Sequence, residues 1–181
     1  MLKQSQIAVM LMLLGAFSAA SAATQGTASV SEDTKTRLHK EEVIELMAKT
    51  AQMPKAQQDS RLDLILKDQS GSKTPRSDYL LCTGLAYLGN YKAQECVGKA
   101  FEKGLGVIED LSEAYAWYGI ALENRGSDDA AEQRLEAAKA RMTASMRSAY
   151  PAPSDDELDE MIDTQRNRIA QYQDEMKKAK K

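Results

Sequence analysis

The chain has 181 residues, of which 28% are charged and 6% aromatic, and its formal net charge is -3 at pH 7. A mildly acidic chain with dispersed basic residues lacks the positive patch of a nucleic-acid-binding protein, so we expect no nucleic-acid partner. Few aromatic residues, few prolines and long stretches compatible with helix predict an all-α protein, and nothing in the sequence resembles alternating strands.

The first 22 residues have the pattern of a secretory signal peptide. Lys3 supplies the positive start, residues 7–17 form an apolar run, and Ala20-Ser21-Ala22 provides a small-x-small cleavage site. The apolar run is too short for a membrane span. We therefore expect cleavage near Ala22 and a mature protein that is periplasmic or secreted and does not span a membrane.

The residues that follow predict a leader and then a pair of helices. Residues 23–36 are small, polar and aperiodic, which is typical of a flexible leader. Residues 37–76 are expected to hold an N-terminal helical pair, because apolar residues recur at helical spacing on both sides of Pro54. Proline ends a helix and is accepted at the first position of the next one. The segment 70–77 has the composition of a loop.

Glycine-containing turns separate the helices predicted for the next region, which begin near residues 79, 92, 111 and 130. The first of them, residues 79–88, is apolar on nearly every side, so we expect it to be the most buried helix. The turn Gly89-Asn90-Tyr91-Lys92-Ala93 aligns with residues 126–130, at an offset of 37. A period of about 20 to 50 residues is typical of a solenoid of helical hairpins.

A characteristic set of small, aromatic and acidic residues occupies this region: Ala93, Gly98, Phe101, Gly104, Gly106, Val107, Asp110, Ala114, Trp117, Tyr118, Ala121, Gly126 and Ala130. These are signature positions of the Sel-1-like repeat, a relative of the tetratricopeptide repeat, which the stretch resembles. Residues 93–129 correspond to one full copy, and half-copies flank it within residues 77–150.

Several of these positions have a structural reason. Gly98 allows two helices to approach closely, while Gly104 and Gly106 permit backbone angles that a side chain resists. Asp110 is suited to cap the following helix, and Trp117 is expected in the core.

The resemblance also carries expectations about architecture and binding. It implies a short right-handed α-solenoid of about three helical hairpins. In that family the first helices of successive hairpins line a concave face that binds partners. The candidate binding residues are therefore on or near the helix that begins at Lys92: Gln94, Glu95, Lys99, Glu102, Tyr87 and Tyr91.

Two cysteines flank the first glycine turn symmetrically. Cys82 and Cys96 each lie seven residues from Gly89. Residues equidistant from the turn of an antiparallel helical hairpin can face each other, so we expect a disulfide in an oxidising compartment. The alternative is a pair of buried free thiols. A catalytic redox pair is not supported, because the C-x-x-C spacing is absent.

The sequence gives no support for enzymatic chemistry. His39 is the one histidine of the chain, and a single histidine with two bridged cysteines does not make a zinc site. No nucleophile elbow accompanies it. We therefore predict no catalytic residues, no metal site and no cofactor.

Residues 151–181 predict a separate C-terminal helix. Pro151 and Pro153 interrupt the chain, and Ser154 and Glu157 have the spacing of a capping box. A narrow heptad seam follows, formed by Leu158, Ile162, Gln165, Ile169, Tyr172 and Met176. This helix either folds back onto the preceding hairpin or pairs with another chain.

The leading functional hypothesis is a periplasmic adaptor or regulator that binds an envelope protein or peptide through the concave repeat face. The resemblance motivates it, since members of the family include periplasmic regulators of signalling and assembly factors of envelope machinery. The alternatives are a cell-wall-associated enzyme or accessory factor, and a structural homo-oligomer formed through the C-terminal helix.

Overall fold

The computed structural model describes residues 36–67, 73–149 and 151–179. Within these ranges the chain forms helices and no strand, which confirms the all-α prediction. The helices are α1 (Lys40–Thr50), α2 (Lys55–Lys67), α3 (Pro75–Tyr87), α4 (Tyr91–Lys103), α5 (Leu111–Asn124), α6 (Asp129–Arg147) and α7 (Asp155–Ala179). The predicted signal peptide and nearly all of the predicted leader lie outside the described residues. No helix in these ranges is long and apolar enough to cross a membrane.

The predicted helix ends are largely confirmed by their caps. The Asp110 carboxylate accepts hydrogen bonds from the backbone N–H groups of Ser112 and Glu113, each at 3.0 Å, and so begins α5. Gly104 ends α4 in the left-handed conformation, with φ of 62°. Asp128 begins α6 by accepting from the backbone N–H of Ala131 at 2.9 Å.

The start of α3 differs from the prediction. Residues 75–77 belong to the first turn of the helix, although their composition predicts a loop. Pro75 fits there because the first helical N–H needs no partner within the helix. Arg76 is only 3% exposed and donates hydrogen bonds to the backbone carbonyls of Thr36 and Gly106. This tertiary contact fixes the turn as helix.

The core is centred on α3 and α5. Every residue from Leu81 to Tyr87 is buried, and α3 has a larger share of buried residues than the other helices of the described chain, as predicted. Trp117 of α5 is 2% exposed, which confirms its place in the core. Its ring meets that of Tyr87 edge to face, with centroids 5.2 Å apart.

Glycines allow the close helix contacts around this core. A Cβ atom on Gly98 of α4 would lie 2.8 Å from the ring of Tyr118 in α5, as the predicted close approach requires. A Cβ atom on Gly119, on α5, would lie 2.5 Å from Ile162 Cδ1 of α7. At both positions a larger residue would separate the two helices.

Helix α7 folds back along α5 and also contacts α1 and α3. The capping box at its start is confirmed, since the backbone N–H of Ser154 donates to Glu157 Oε2 at 2.7 Å. The first four seam residues, from Leu158 to Ile169, are buried, and Tyr172 and Met176 pack against the same core. The heptad seam is therefore covered within the chain.

Cys82 and Cys96 lie at disulfide distance, with Cα atoms 6.0 Å apart, and link α3 to α4. Both side chains are buried. The pairing predicted from their distances to Gly89 is thus confirmed, and it is compatible with an oxidising compartment.

Replacing both cysteines by alanine should lower the free energy of unfolding by about 2–4 kcal/mol, since the disulfide closes a loop of about 15 residues. Chemical denaturation of the variant and of the wild type, with and without a thiol reductant, measures this. Reductant should destabilise the wild type by a similar amount and leave the variant unchanged. Equal stability of the variant and the oxidised wild type would contradict the assignment.

Candidate functional site

The predicted binding residues of α4 are engaged within the chain. Gln94 is the clearest correction, because it is fully buried and therefore not part of the surface to which the family resemblance assigns it. Its Nε2 donates to the carbonyl of Ala86 at 3.1 Å, and its Oε1 accepts from Asn124 Nδ2 at 3.1 Å. Gln94 thus joins α3, α4 and α5.

Two acidic candidates of α4 bind helix α6 instead. Glu95 pairs with Arg134 at 3.2 Å, and Glu102 pairs with Arg141 at 3.3 Å. The Tyr118 hydroxyl group also donates to Glu102, at 2.5 Å. Burial, followed by this hydrogen bond, raises the pKa of Tyr118 above its ordinary value.

The remaining candidates also have partners in the chain. Tyr91 donates to Asp128 at 2.6 Å, and Lys99 contacts the carbonyl of Leu66 at 3.5 Å. Tyr87 is 5% exposed and stacks on Tyr172 of α7, with ring centroids 5.0 Å apart. Burial raises the pKa of Tyr87 to about 12. The six candidates therefore do not form one open binding surface.

The structure places an open cleft elsewhere, between α5, the end of α6 and α7. Its volume is about 810 Å³. Leu111, Ala116, Met146, Pro153 and Met161 supply apolar surface to it. The charged side chains that line it are Arg37, Asp110, Glu113, Glu157, Glu160 and Arg168. Four carboxylates against two guanidinium groups give this α5–α7 cleft a formal net charge of -2.

A cluster of charged residues lies at one end of the cleft. The Glu113 side chain is 11% exposed. Its Oε1 accepts hydrogen bonds from Arg37 Nη1 and from Arg168 Nη1, each at 3.1 Å. Arg37 also pairs with Asp110, and its guanidinium group lies 5.8 Å from the ring centroid of Phe101. Arg168 Nη1 donates as well to Gln165 Oε1 at 2.9 Å. These contacts join the segment before α1 to α5 and α7.

A smaller space of about 180 Å³, which we call the inner cavity, lies among α1, α3, α4, α5 and α7. Five aromatic residues line it: Tyr79, Tyr87, Phe101, Trp117 and Tyr172. Arg37, Glu113 and Arg168 line both the inner cavity and the cleft, so the boundary between the two spaces passes through these three side chains.

The charged groups at the inner end of the cleft are paired with one another. Asp110 and Glu113, the carboxylates at the inner end of the cleft, are both ion-paired with arginine. His39 is exposed beside α1, where its backbone N–H donates to Glu42 Oε2 at 2.6 Å. In the part of the chain that the structure describes, no cluster of three or more His, Cys, Asp or Glu side chains could hold a metal.

The sequence-based prediction did not include Arg37, Glu113 or Arg168 in the site. One feature of the sequence indicates this site, because Gln165 is the single polar residue of the heptad seam. Periodicity predicts that this residue faces the core, and it is indeed 1% exposed. Arg37 and Glu113 are 76 residues apart, and their contact depends on the complete fold.

Comparison of the chain with protein-family models, with curated proteins and with solved structures gave no match.

We predict that Glu113→Gln lowers the free energy of unfolding by about 1–3 kcal/mol, because the substitution leaves the half-buried Arg168 guanidinium group without its carboxylate. Glu123→Gln is the matched control. Glu123 pairs with Arg166 at 2.6 Å, but both side chains are at least 42% exposed. An exposed pair contributes about 0–1 kcal/mol. Equal effects of the two substitutions in urea denaturation would show that the cluster does not hold the site together.

Proposed function

We propose that the protein is an exported interaction module of the cell envelope, and that it binds a basic, partly apolar segment of another envelope protein in the α5–α7 cleft. The observation that carries this proposal is the cleft itself, with its volume of about 810 Å³, its apolar surface and its formal charge of -2. Binding sites are commonly concave and largely apolar, with a few polar groups that orient the ligand. Complementary charge then selects the partner and steers its approach.

The proposed location rests on two observations. Residues 1–22 have the composition and order of a signal peptide. The buried Cys82–Cys96 pair suits a protein that folds in an oxidising compartment. Together they support a periplasmic or secreted protein whose mature chain begins at Ala23, and N-terminal sequencing of the exported protein tests this start.

The proposed architecture is a short solenoid of Sel-1-like hairpins. Successive helices from α3 to α6 pack on one another. The ion pairs Glu95–Arg134 and Glu102–Arg141 each join residues 39 apart, so the same spacing occurs twice between α4 and α6. Gly98, Gly104 and Asp110 have the structural roles for which the repeat would select them. These features support the repeat interpretation on structural grounds.

The cleft takes the place of the α4 surface in this proposal. Residues of α4 are used to hold α3, α5 and α6, whereas the rim of the cleft includes exposed residues such as Ala149 and Glu160. The two alternatives have less support from the described residues. A cell-wall enzyme needs a free acid–base pair, and a homo-oligomer through α7 needs an uncovered heptad seam.

The test compares three forms of the mature chain as bait in cross-linked envelope extracts. In the double variant Ala149→Arg/Glu160→Lys, basic side chains replace two exposed residues of the cleft. The control Ala140→Arg/Asp159→Lys makes the same changes in charge at exposed positions of α6 and α7 outside the cleft. We expect one envelope protein to be retained equally by the wild type and the control, and about tenfold less by the cleft variant.

Mass spectrometry should locate the cross-links in a partner segment with net positive charge. Equal retention by all three baits would contradict a site in the cleft. Retention of no envelope protein by the folded wild type would contradict the proposal as a whole.

A further inference from the structure

The inner cavity has the size and the walls of a site for a single aromatic ring. Its volume is about 180 Å³, and Tyr87, Trp117 and Tyr172 are among the residues that line it. A volume of about 150 Å³ is sufficient to hold benzene. Aromatic walls favour a ring ligand further, through offset-stacked and edge-to-face contacts.

At the boundary with the cleft, a buried hydrogen-bond donor lacks an acceptor. Gln165 is 1% exposed, and its Nε2 makes no hydrogen bond within the described chain. Burial raises the pKa of Tyr87 and the neighbouring Gln165 amide lowers it, so the Tyr87 hydroxyl group lies beside Nε2 without forming a hydrogen bond of normal geometry. Buried amide donors are seldom left without a partner, so this one points to an acceptor from outside the chain.

Arg168 has further donors at the same place. Its hydrogen bonds to Glu113 and Gln165 all come from Nη1. Arg168 also interacts with the Tyr87 hydroxyl group. An arginine presents five N–H donors in a fixed plane, so donors remain for a further acceptor. A carboxylate has two oxygens that accept several such bonds at once.

The charges around the inner cavity are balanced within the chain. The charged residues of the inner cavity are Arg37, Arg168 and Glu113, with a formal sum of +1. Asp110 pairs with Arg37 from the side of the cleft, and Arg168 pairs with Glu113. The two guanidinium groups and the two carboxylates therefore balance, so a carboxylate ligand is recognised here through N–H donors and not through an excess of positive charge.

We propose that the inner cavity and its boundary form a binding site for an aromatic carboxylate. The ring occupies the inner cavity, and the carboxylate accepts hydrogen bonds from Gln165 Nε2 and from the Nε or Nη2 group of Arg168. Glu113 keeps its bonds to Arg168 Nη1. This site is additional to the proposed protein contact in the cleft.

The experiment uses the fluorescence of Trp117, which is the one tryptophan of the chain and lines the inner cavity. The mature protein is titrated with 3-phenylpropionate, with the uncharged 3-phenyl-1-propanol and with propionate, which has no ring. We expect a saturable change with 3-phenylpropionate, affinity for the alcohol about tenfold weaker, and no saturation with propionate.

Gln165→Leu should weaken the binding of 3-phenylpropionate about tenfold and leave that of the alcohol unchanged. Gln171→Leu, at an exposed position of the same helix, is the matched control and should bind like the wild type. As a measurement that needs no variant, the side-chain amide resonances of Gln165 in the wild-type NMR spectrum should shift with the acid and not with the alcohol.

An aromatic carboxylate can belong to a free acid or to the C-terminal residue of a polypeptide. Ala-Ala-Phe with a free carboxylate distinguishes these sources, since tighter binding than that of 3-phenylpropionate indicates a polypeptide terminus and weaker binding indicates a free acid. Absence of saturation by both carboxylates, equal affinity for the acid and the alcohol, or unchanged binding by a folded Gln165→Leu variant would overturn the proposal. Because these probes involve no partner protein, the result is independent of the capture experiment.

Discussion

Helix α7 lies close to α5 because Gly119 has no side chain at the point where Ile162 packs. A Cβ atom there would lie 2.5 Å from Ile162 Cδ1 and 2.7 Å from its Cγ1. Because glycine leaves this space open, the apolar seam of α7 reaches the core and Ile162 is buried. Both proposed binding spaces depend on this contact, since α7 forms one side of the cleft and one wall of the inner cavity.

Apolar packing places α7, and polar residues determine what the resulting surface can do. Gln165 and Arg168 lie on consecutive turns of the helix, next to seam residues that supply the burial. Arg168 reaches Glu113 of α5, and Arg37 joins the same carboxylate from the segment before α1. Buried or half-buried charges of this kind contribute little net stability when they are paired and are costly when one partner is lost. Their arrangement is therefore more informative about binding than about folding.

Local signals in the sequence were sufficient for much of the fold. Asp110, Gly104 and the pair Ser154 and Glu157 act through backbone groups within a few residues, so their positions alone predict where helices begin and end. The disulfide followed from the equal distances of Cys82 and Cys96 from one turn. Heptad spacing identified the face of α7 that is buried.

Local patterns do not say which helix covers a given face. The family resemblance assigns Gln94 to an open surface, but this residue satisfies both ends of its amide with groups from α3 and α5. The cleft could not be predicted either, because it exists only where α7 returns to α5. Its charged cluster joins residues that are 55 and 76 positions apart in the chain.

The most direct test of this account is a double-mutant cycle between Gly119 and Ile162, measured by urea denaturation of the mature chain at concentrations where sedimentation gives the mass of one chain. Gly119→Ala should destabilise the wild type by about 1–3 kcal/mol, because the added methyl group overpacks the contact. In the Ile162→Ala background the same change should stabilise by about 0.5–1 kcal/mol, since the space is open and alanine favours helix. Additive effects within about 0.5 kcal/mol would show that the two residues are not in contact, and would contradict the return of α7 to α5.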